Sequence, residues 1–118
     1  MTGSEPLERR RHRRHDVEVP ARYWVDDPDS AIDCEVLDIS EGGLCIGLPD
    51  WSALDLAPEA TVELPIPGAH RAVPAAVEVK GVGGRGRPVV RMRFLDTTMG
   101  FRRTIGHAAR AWVHGAGR

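Results

Sequence analysis

Ile32-Asp33-Cys34-Glu35-Val36-Leu37-Asp38-Ile39-Ser40-Glu41-Gly42-Gly43-Leu44-Cys45-Ile46-Gly47-Leu48 is the stretch whose reading decides the fold class. Ile32, Cys34 and Val36 alternate with polar residues, the period of a half-buried strand. Leu37 and Ile39 then take the opposite phase. That shift predicts a bulge, or a central strand covered on both sides. Ser40-Glu41-Gly42-Gly43 reads as a turn, because its two glycines permit positive φ and close backbone approach. Leu44, Ile46 and Leu48 restart the alternation, with Cys45 on the other face. The stretch is therefore a β-hairpin with two chemically distinct faces.

Working outward, Val17, Val19, Ala21, Tyr23 and Val25 keep a period of two and predict a strand before the hairpin. Pro20 lacks an N–H and belongs at an edge or a bulge. Asp26-Asp27-Pro28-Asp29-Ser30 has turn composition. Beyond the hairpin, residues 49–58 connect to a fourth strand over 60–66, through a segment with Trp51, Leu54 and Leu56. A fifth strand runs over 73–79, with Pro74 set against a central position. Gly81 to Gly86 reads as a flexible turn, and Arg87 to Asp96 as the sixth strand. Val90, Met92 and Phe94 form its inner face, Arg91 and Arg93 its outer one. After it the period changes: Phe101, Ile105, Ala108 and Trp112 recur at helical spacing, with Thr97 or Thr98 as the cap. The expected fold is all-β: six antiparallel strands curled into a small barrel, with a C-terminal α-helix on one opening. Residues 1–8 are expected to form a flexible leader. The expected domain covers 9–114: an arginine-rich arm over 9–16, the barrel over 17–96 and the helix over 98–113.

The 118 residues suffice for one ordinary core. The formal net charge is −1, so no global basic field exists, yet charge is strongly placed. Arg9, Arg10, Arg11, Arg13 and Arg14 fall within six residues, whereas the charges of residues 26–41 are mostly acidic. Lys80 is the only lysine beside fifteen arginines. A genomic composition bias explains that excess equally well as a need for bidentate phosphate contacts. Cys34 and Cys45 lack metal spacing and read as small buried hydrophobes. The five histidines have no metal pattern, and no nucleophile, general base and orienting carboxylate converge. Catalysis, a metal site and a bound cofactor are therefore not expected. Neither a transmembrane run nor a signal-peptide core is visible, which makes the cytoplasm the default location and membrane insertion unexpected.

Two groups of residues carry recognition chemistry. Arg10 and Arg14 stand four apart just ahead of the first strand, and Arg9 with Arg13 shows the same spacing. Asp38, Ser40 and Gly43 stand at the end of the next strand. A guanidinium matches the N7 and O6 acceptors of guanine, or two oxygens of a phosphate. A carboxylate accepts from the guanine N–H edge, and a serine hydroxyl donates or accepts. Gly43 would leave room for a ligand near the backbone. Together these groups suit a guanine nucleotide with more than one phosphate.

At these positions the sequence resembles the PilZ domain family, which pairs Arg-x-x-x-Arg with a later Asp/Asn-x-Ser-x-x-Gly. Arg10-x-x-x-Arg14 matches the first motif and favours that register of the arm; Asp38-x-Ser40-x-x-Gly43 matches the second. Val90-Arg91-Met92-Arg93-Phe94 is similar to the family's late strand. The likeness spans about residues 8–112. Arg13 stands where proline is common in the family, and Arg91 where glycine is common. The resemblance implies a non-catalytic receptor for cyclic di-GMP that transmits the signal to a protein effector. Its ligand-binding residues would be Arg9, Arg10, Arg14, Asp38, Ser40 and Gly43, with Arg11, Arg13, Arg91 and Arg93 as candidates for further contacts. Partner binding would follow a nucleotide-dependent surface built from the arm, or a permanent face of the helix that includes Arg103 and Arg110. The alternative is a PilZ-like protein-contact adaptor that binds no nucleotide. DNA or RNA binding is disfavoured by the near-neutral charge and the lack of outward aromatic residues.

Overall fold

The computed structural model describes residues 13–54 and 57–115. The leader and the arm residues Arg9, Arg10 and Arg11 lie outside them, as does Leu56. Six strands form a closed antiparallel barrel: β1 (His15–Trp24), β2 (Ile32–Ile39), β3 (Gly43–Gly47), β4 (Glu59–Leu64), β5 (Val73–Gly83) and β6 (Val89–Phe94). Around the wall they run β1-β2-β3-β6-β5-β4. Closure pairs every strand on both sides over part of its length, which is how a small all-β fold limits edge pairing. One helix, α1 (Met99–Gly115), follows.

Alternation fills the interior. Val17, Val19, Ala21 and Tyr23 of β1 are buried while their neighbours face outward. Val36, Ile46, Leu48, Val62, Leu64 and Val77 are wholly buried. Burying one such side chain contributes about 1.5–3 kcal/mol. The phase change in the second strand is a real irregularity: the β2–β3 register shifts between Val36 and Asp38, which returns Ile39 to the core and turns Asp38 outward. Pro20 pairs with Glu35 of β2 in a part of β1 that β4 does not reach, since β4 pairs only with Arg22–Trp24. Pro74 is exposed and pairs with Glu63 of β4, and β6 joins β5 only from Val77 onward. Both prolines thus sit where one side of the strand has no ladder to donate to.

Two expectations need correction. β5 continues through Gly83, so Gly81 and Gly83 belong to a strand and the turn begins later. Gly81, Val82 and Gly83 pair with Arg91, Val90 and Val89 across a bulge, and the Arg91 guanidinium lies where a Cβ at Gly81 would stand. The positive-φ residues of the turn are Gly84 and Gly86. Second, of the two uses expected for the glycines of the 40–43 turn, positive φ is not found at Gly42 or Gly43, whereas close backbone approach is: a Cβ at Gly43 would meet the Met92 carbonyl oxygen of β6. Close backbone approach, not turn handedness, fixes this glycine.

Thr98 caps α1, its Oγ1 accepting from the Phe101 N–H at 3.3 Å. Asp96 in turn accepts from the Thr98 N–H at 2.9 Å and its hydroxyl at 2.7 Å. Ile105 and Ala109 enter the core, and Phe101 meets Phe94 edge-to-face at 5.0 Å. Gly106 is buried, and a Cβ there would stand 2.7 Å from Glu41 Oε2. The helix therefore packs at the end of the barrel where the 40–43 turn lies. None of the described helices is long and apolar enough to cross a membrane.

Candidate functional site

The outer face of β2, β3, β6 and β5 is where the two sequence motifs meet. Asp38 of β2 pairs with Cys45 of β3, Cys45 with Arg91 of β6, and Arg91 with Gly81 of β5. This makes one continuous row across four strands. Arg14, immediately before β1, reaches the row from the side, with Nη1 3.8 Å from Asp38 Oδ2. Arg14 is 46% exposed and Asp38 22%, so the pair is a surface contact worth at most about 1 kcal/mol. Such a weak contact leaves the guanidinium free to turn toward an anion.

A cavity of about 170 Å³ opens over this row. Arg14, Asp38, Ser40 and Cys45 line one side, and Lys80, Arg91 and Arg93 the other. Gly43 also contributes to its wall, chiefly as backbone. Four cations and the Asp38 carboxylate line the cavity, with Glu78 beside Lys80 and Arg93, so positive charge remains in excess, a balance suited to an anionic ligand with a hydrogen-bonding base edge. Arg93 does not swing freely. Its Nε and Nη2 donate to Glu78 Oε1 at 3.0 and 2.6 Å, and Lys80 Nζ stands 3.8 Å from the same oxygen. The hydrogen bond from Arg93, with the Arg93 and Lys80 charges, holds the Glu78 carboxyl below its ordinary range.

Ser40 organises the turn. Its Oγ accepts from the Gly42 N–H at 3.2 Å, while its own N–H donates to the Gly43 carbonyl at 2.8 Å. The Phe94 N–H donates to the Gly42 carbonyl at 3.0 Å, which ties the turn to β6. Cys45 is buried at the floor of the cavity. Burial, then Asp38, pushes its thiol up, while Arg14 and Arg91 draw it back.

The fold thus brings together Arg14, Asp38, Ser40, Gly43, Arg91 and Arg93. Arg13 is exposed and is not among the residues lining this cavity. Sequence reasoning missed Lys80 and Glu78. The signal was present, because inward Val77 and Val79 place residues 78 and 80 outward, but the pairing of β5 with β6 that carries them to the site is not local in sequence.

The PilZ domain family model matches residues 8–111. The chain belongs to the PilZ domain family. Among solved structures it is similar to the PilZ domain of YcgR from Escherichia coli, determined with c-di-GMP, at 17% identity and a TM-score of 0.68. That match covers 92% of this chain and 94% of the other. It is also similar to the Bacillus subtilis inhibitor of motility MotI/DgrA, at 14% identity and a TM-score of 0.68, covering 92% of this chain and 53% of that one. A third is the PilZ domain of CeSA from a cellulose-synthesizing bacterium, at 14% identity and a TM-score of 0.60, covering 90% and 99%. This PilZ chain therefore spans about half of MotI/DgrA and nearly all of the two isolated domains. At these identities the likeness is one of fold. Among curated proteins none matches the chain. Within the PilZ frame, Arg14 and Asp38 are one residue from each family motif, and they are in contact.

Proposed function

We propose that this PilZ domain is a non-catalytic receptor for cyclic di-GMP that passes the signal to a protein effector. The observation that supports it most is the Arg14–Asp38 pair at the mouth of a cavity that also gathers Lys80, Arg91 and Arg93. Arg14, together with Arg10 of the same motif, clasps phosphate and the guanine N7/O6 edge. Asp38 accepts from the opposite guanine edge, and Ser40 adds one hydrogen bond while keeping the turn in shape. Gly43 acts through the β3–β6 approach and so sets the floor. Arg91 and Arg93 supply positive potential, with Arg93 preset by Glu78. Arg9, Arg11 and Arg13 add charge to the arm.

Titration calorimetry with cyclic di-GMP, GTP and cyclic di-AMP tests this reading. Cyclic di-GMP binds about tenfold or more tightly than cyclic di-AMP, because adenine presents an amino donor where guanine presents O6 to the arginine. Equal affinities overturn the base-edge assignment. A folded Arg10→Ala, Arg14→Ala double variant with unchanged affinity overturns the arginine clasp and leaves the protein-contact adaptor.

A further inference from the structure

Helix α1 contains no aspartate or glutamate in its 17 residues. Its basic side chains are Arg102, Arg103 and Arg110, with His107 and His114 beside them. Arg103, His107, Arg110 and His114 are all exposed and follow each other at spacings of four, three and four. At about 100° per residue they fall within roughly 60° of arc, directly opposite the stripe of Ile105, Ala108, Ala109 and Trp112 that packs on the barrel. The packing therefore aims a stripe of two arginines and two histidines, with no carboxylate of the helix's own, at solvent. From Arg103 to His114 it runs about 16 Å.

The rest of the chain does not share this sign. The protein is near neutral overall, and Asp26, Asp27, Asp29 and Asp33 are exposed around the start of β2, the end remote from the 40–43 turn where the helix packs. An acidic partner therefore finds on this helix a face that carries no carboxylate of its own. On the stripe, Arg110 Nη2 lies 3.4 Å from His107 Nδ1, and both Arg110 and the Glu41 carboxylate stand over Gly106. Arg103 is exposed at the N-terminal end of the stripe and is the first residue to test.

We infer that the outward face of α1 is a docking surface for an acidic segment of a protein partner, its carboxylates spaced to meet Arg103, Arg110 and the two histidines. The other polyanions fit less well. A membrane-seated helix needs a broad apolar face beside its basic residues, but Phe101, Ile105 and Trp112 pack on the barrel, which leaves Met99 and Val113, at opposite ends of the helix, as its exposed large apolar side chains. A nucleic acid needs a longer cationic track than about 16 Å with two arginines on its crest. The inference does not depend on nucleotide binding, so it stands or falls apart from the proposed receptor function.

The test is fluorescence anisotropy of a labelled glutamate–alanine peptide of about twenty residues, long enough to cover the stripe. The full chain is titrated at low and at physiological salt. The peptide binds and weakens with salt. Arg103→Glu lowers the affinity about tenfold, whereas Arg85→Glu, on the exposed β5–β6 turn, leaves it unchanged. Arg110→Gln lowers it by a smaller factor, and circular dichroism of each variant matches the parent. Equal losses for Arg103→Glu and Arg85→Glu overturn the inference, as does no binding at low salt. Tighter binding to phosphatidylserine–phosphatidylcholine vesicles, or to a random DNA duplex, also overturns it. So does sedimentation showing self-association that Arg103→Glu abolishes, because the occupant is then a second copy.

Discussion

The two sides of the barrel wall at β2, β3 and β6 are built from alternate residues of the same strands and do different work. Inside, Val36, Ile39, Leu44, Ile46, Met92 and Phe94 are buried together. Outside, Asp38, Cys45, Arg91 and Arg93 stand one position away on the same strands, under a cavity that Arg14 closes from the side. The inner side draws its stability from area removed from water, which is large and indifferent to partners. The outer side consists of exposed or half-exposed charges whose mutual contacts contribute little to stability. A wall of this kind can vary its outer chemistry without loosening its core, and that is what makes its outer face available for recognition.

The largest expected effect breaks the inside alone. Phe94→Ala removes a wholly buried ring and its edge-to-face contact with Phe101, the side chain that anchors the start of α1. Destabilisation of about 3–5 kcal/mol is expected, read from the urea midpoint. Its neighbour on the other side, Arg93→Ala, should change stability by less than about 1 kcal/mol even though it breaks the contact to Glu78. Comparable losses for the two variants would mean that the wall does not separate the roles.

The next effect breaks the outside alone. Arg14→Ala should weaken cyclic di-GMP by about 1.5–3 kcal/mol, the range for charge-assisted hydrogen bonds, with the urea midpoint nearly unchanged. Asp38→Ala should relax the preference for guanine over adenine more than it reduces affinity. Calorimetry with both dinucleotides reads each. An Arg14→Ala variant that loses stability and affinity together would place Arg14 in the fold rather than in the site.

The comparison also explains what was legible in the sequence. The inner side obeys a period of two, so the six strands, the phase change near Leu37 and the helix could all be read from apolar spacing. The outer motif residues could be read because Asp38, Ser40 and Gly43 are close in sequence and Arg14 leads straight into β1. What could not be read depends on partners distant in the chain. Gly43 looked like a turn residue, but its need comes from the Met92 carbonyl across the β3–β6 pairing. Gly81 looked like a loop residue, but it makes room for Arg91. Lys80 and Glu78 reach the site only because β5 pairs with β6, and Glu41 meets α1 only because the helix folds back over the turn. Composition reports local backbone freedom and does not say which nonlocal neighbour uses it.

The smallest expected effect, and the finest probe of the wall, uses its two thiols. Cys34 belongs to the core, and burial, then the Asp33 charge, pushes it up from 9.0 to about 12. Cys45 is also pushed up, by burial and then Asp38, but Arg14 and Arg91 oppose the rise from the cavity side. A thiol raised in the folded state is held neutral there while its unfolded counterpart ionises near 9.0. The unfolded chain then binds fewer protons than the folded one, so stability is full below about pH 9 and falls as pH climbs toward 12. Urea midpoints taken between pH 8 and pH 11 (roughly the accessible span of this linkage) should therefore decline, and Cys34→Ala should flatten the decline more than Cys45→Ala does. Reactivity should run the other way. Both thiols line surface cavities, and at pH 8 native Cys45 should alkylate with iodoacetamide faster than Cys34, because two guanidinium groups favour its thiolate whereas burial and Asp33 both oppose that of Cys34. Arg14→Ala should slow that reaction by removing one of them, and cyclic di-GMP should protect the same thiol by filling the cavity. Mass spectrometry of the alkylated peptides resolves the two sites. If Cys34 reacts as fast as Cys45, or if nucleotide protects neither, then Arg14 and Arg91 do not set the reactivity of Cys45 and the thiols do not distinguish the two sides of the wall.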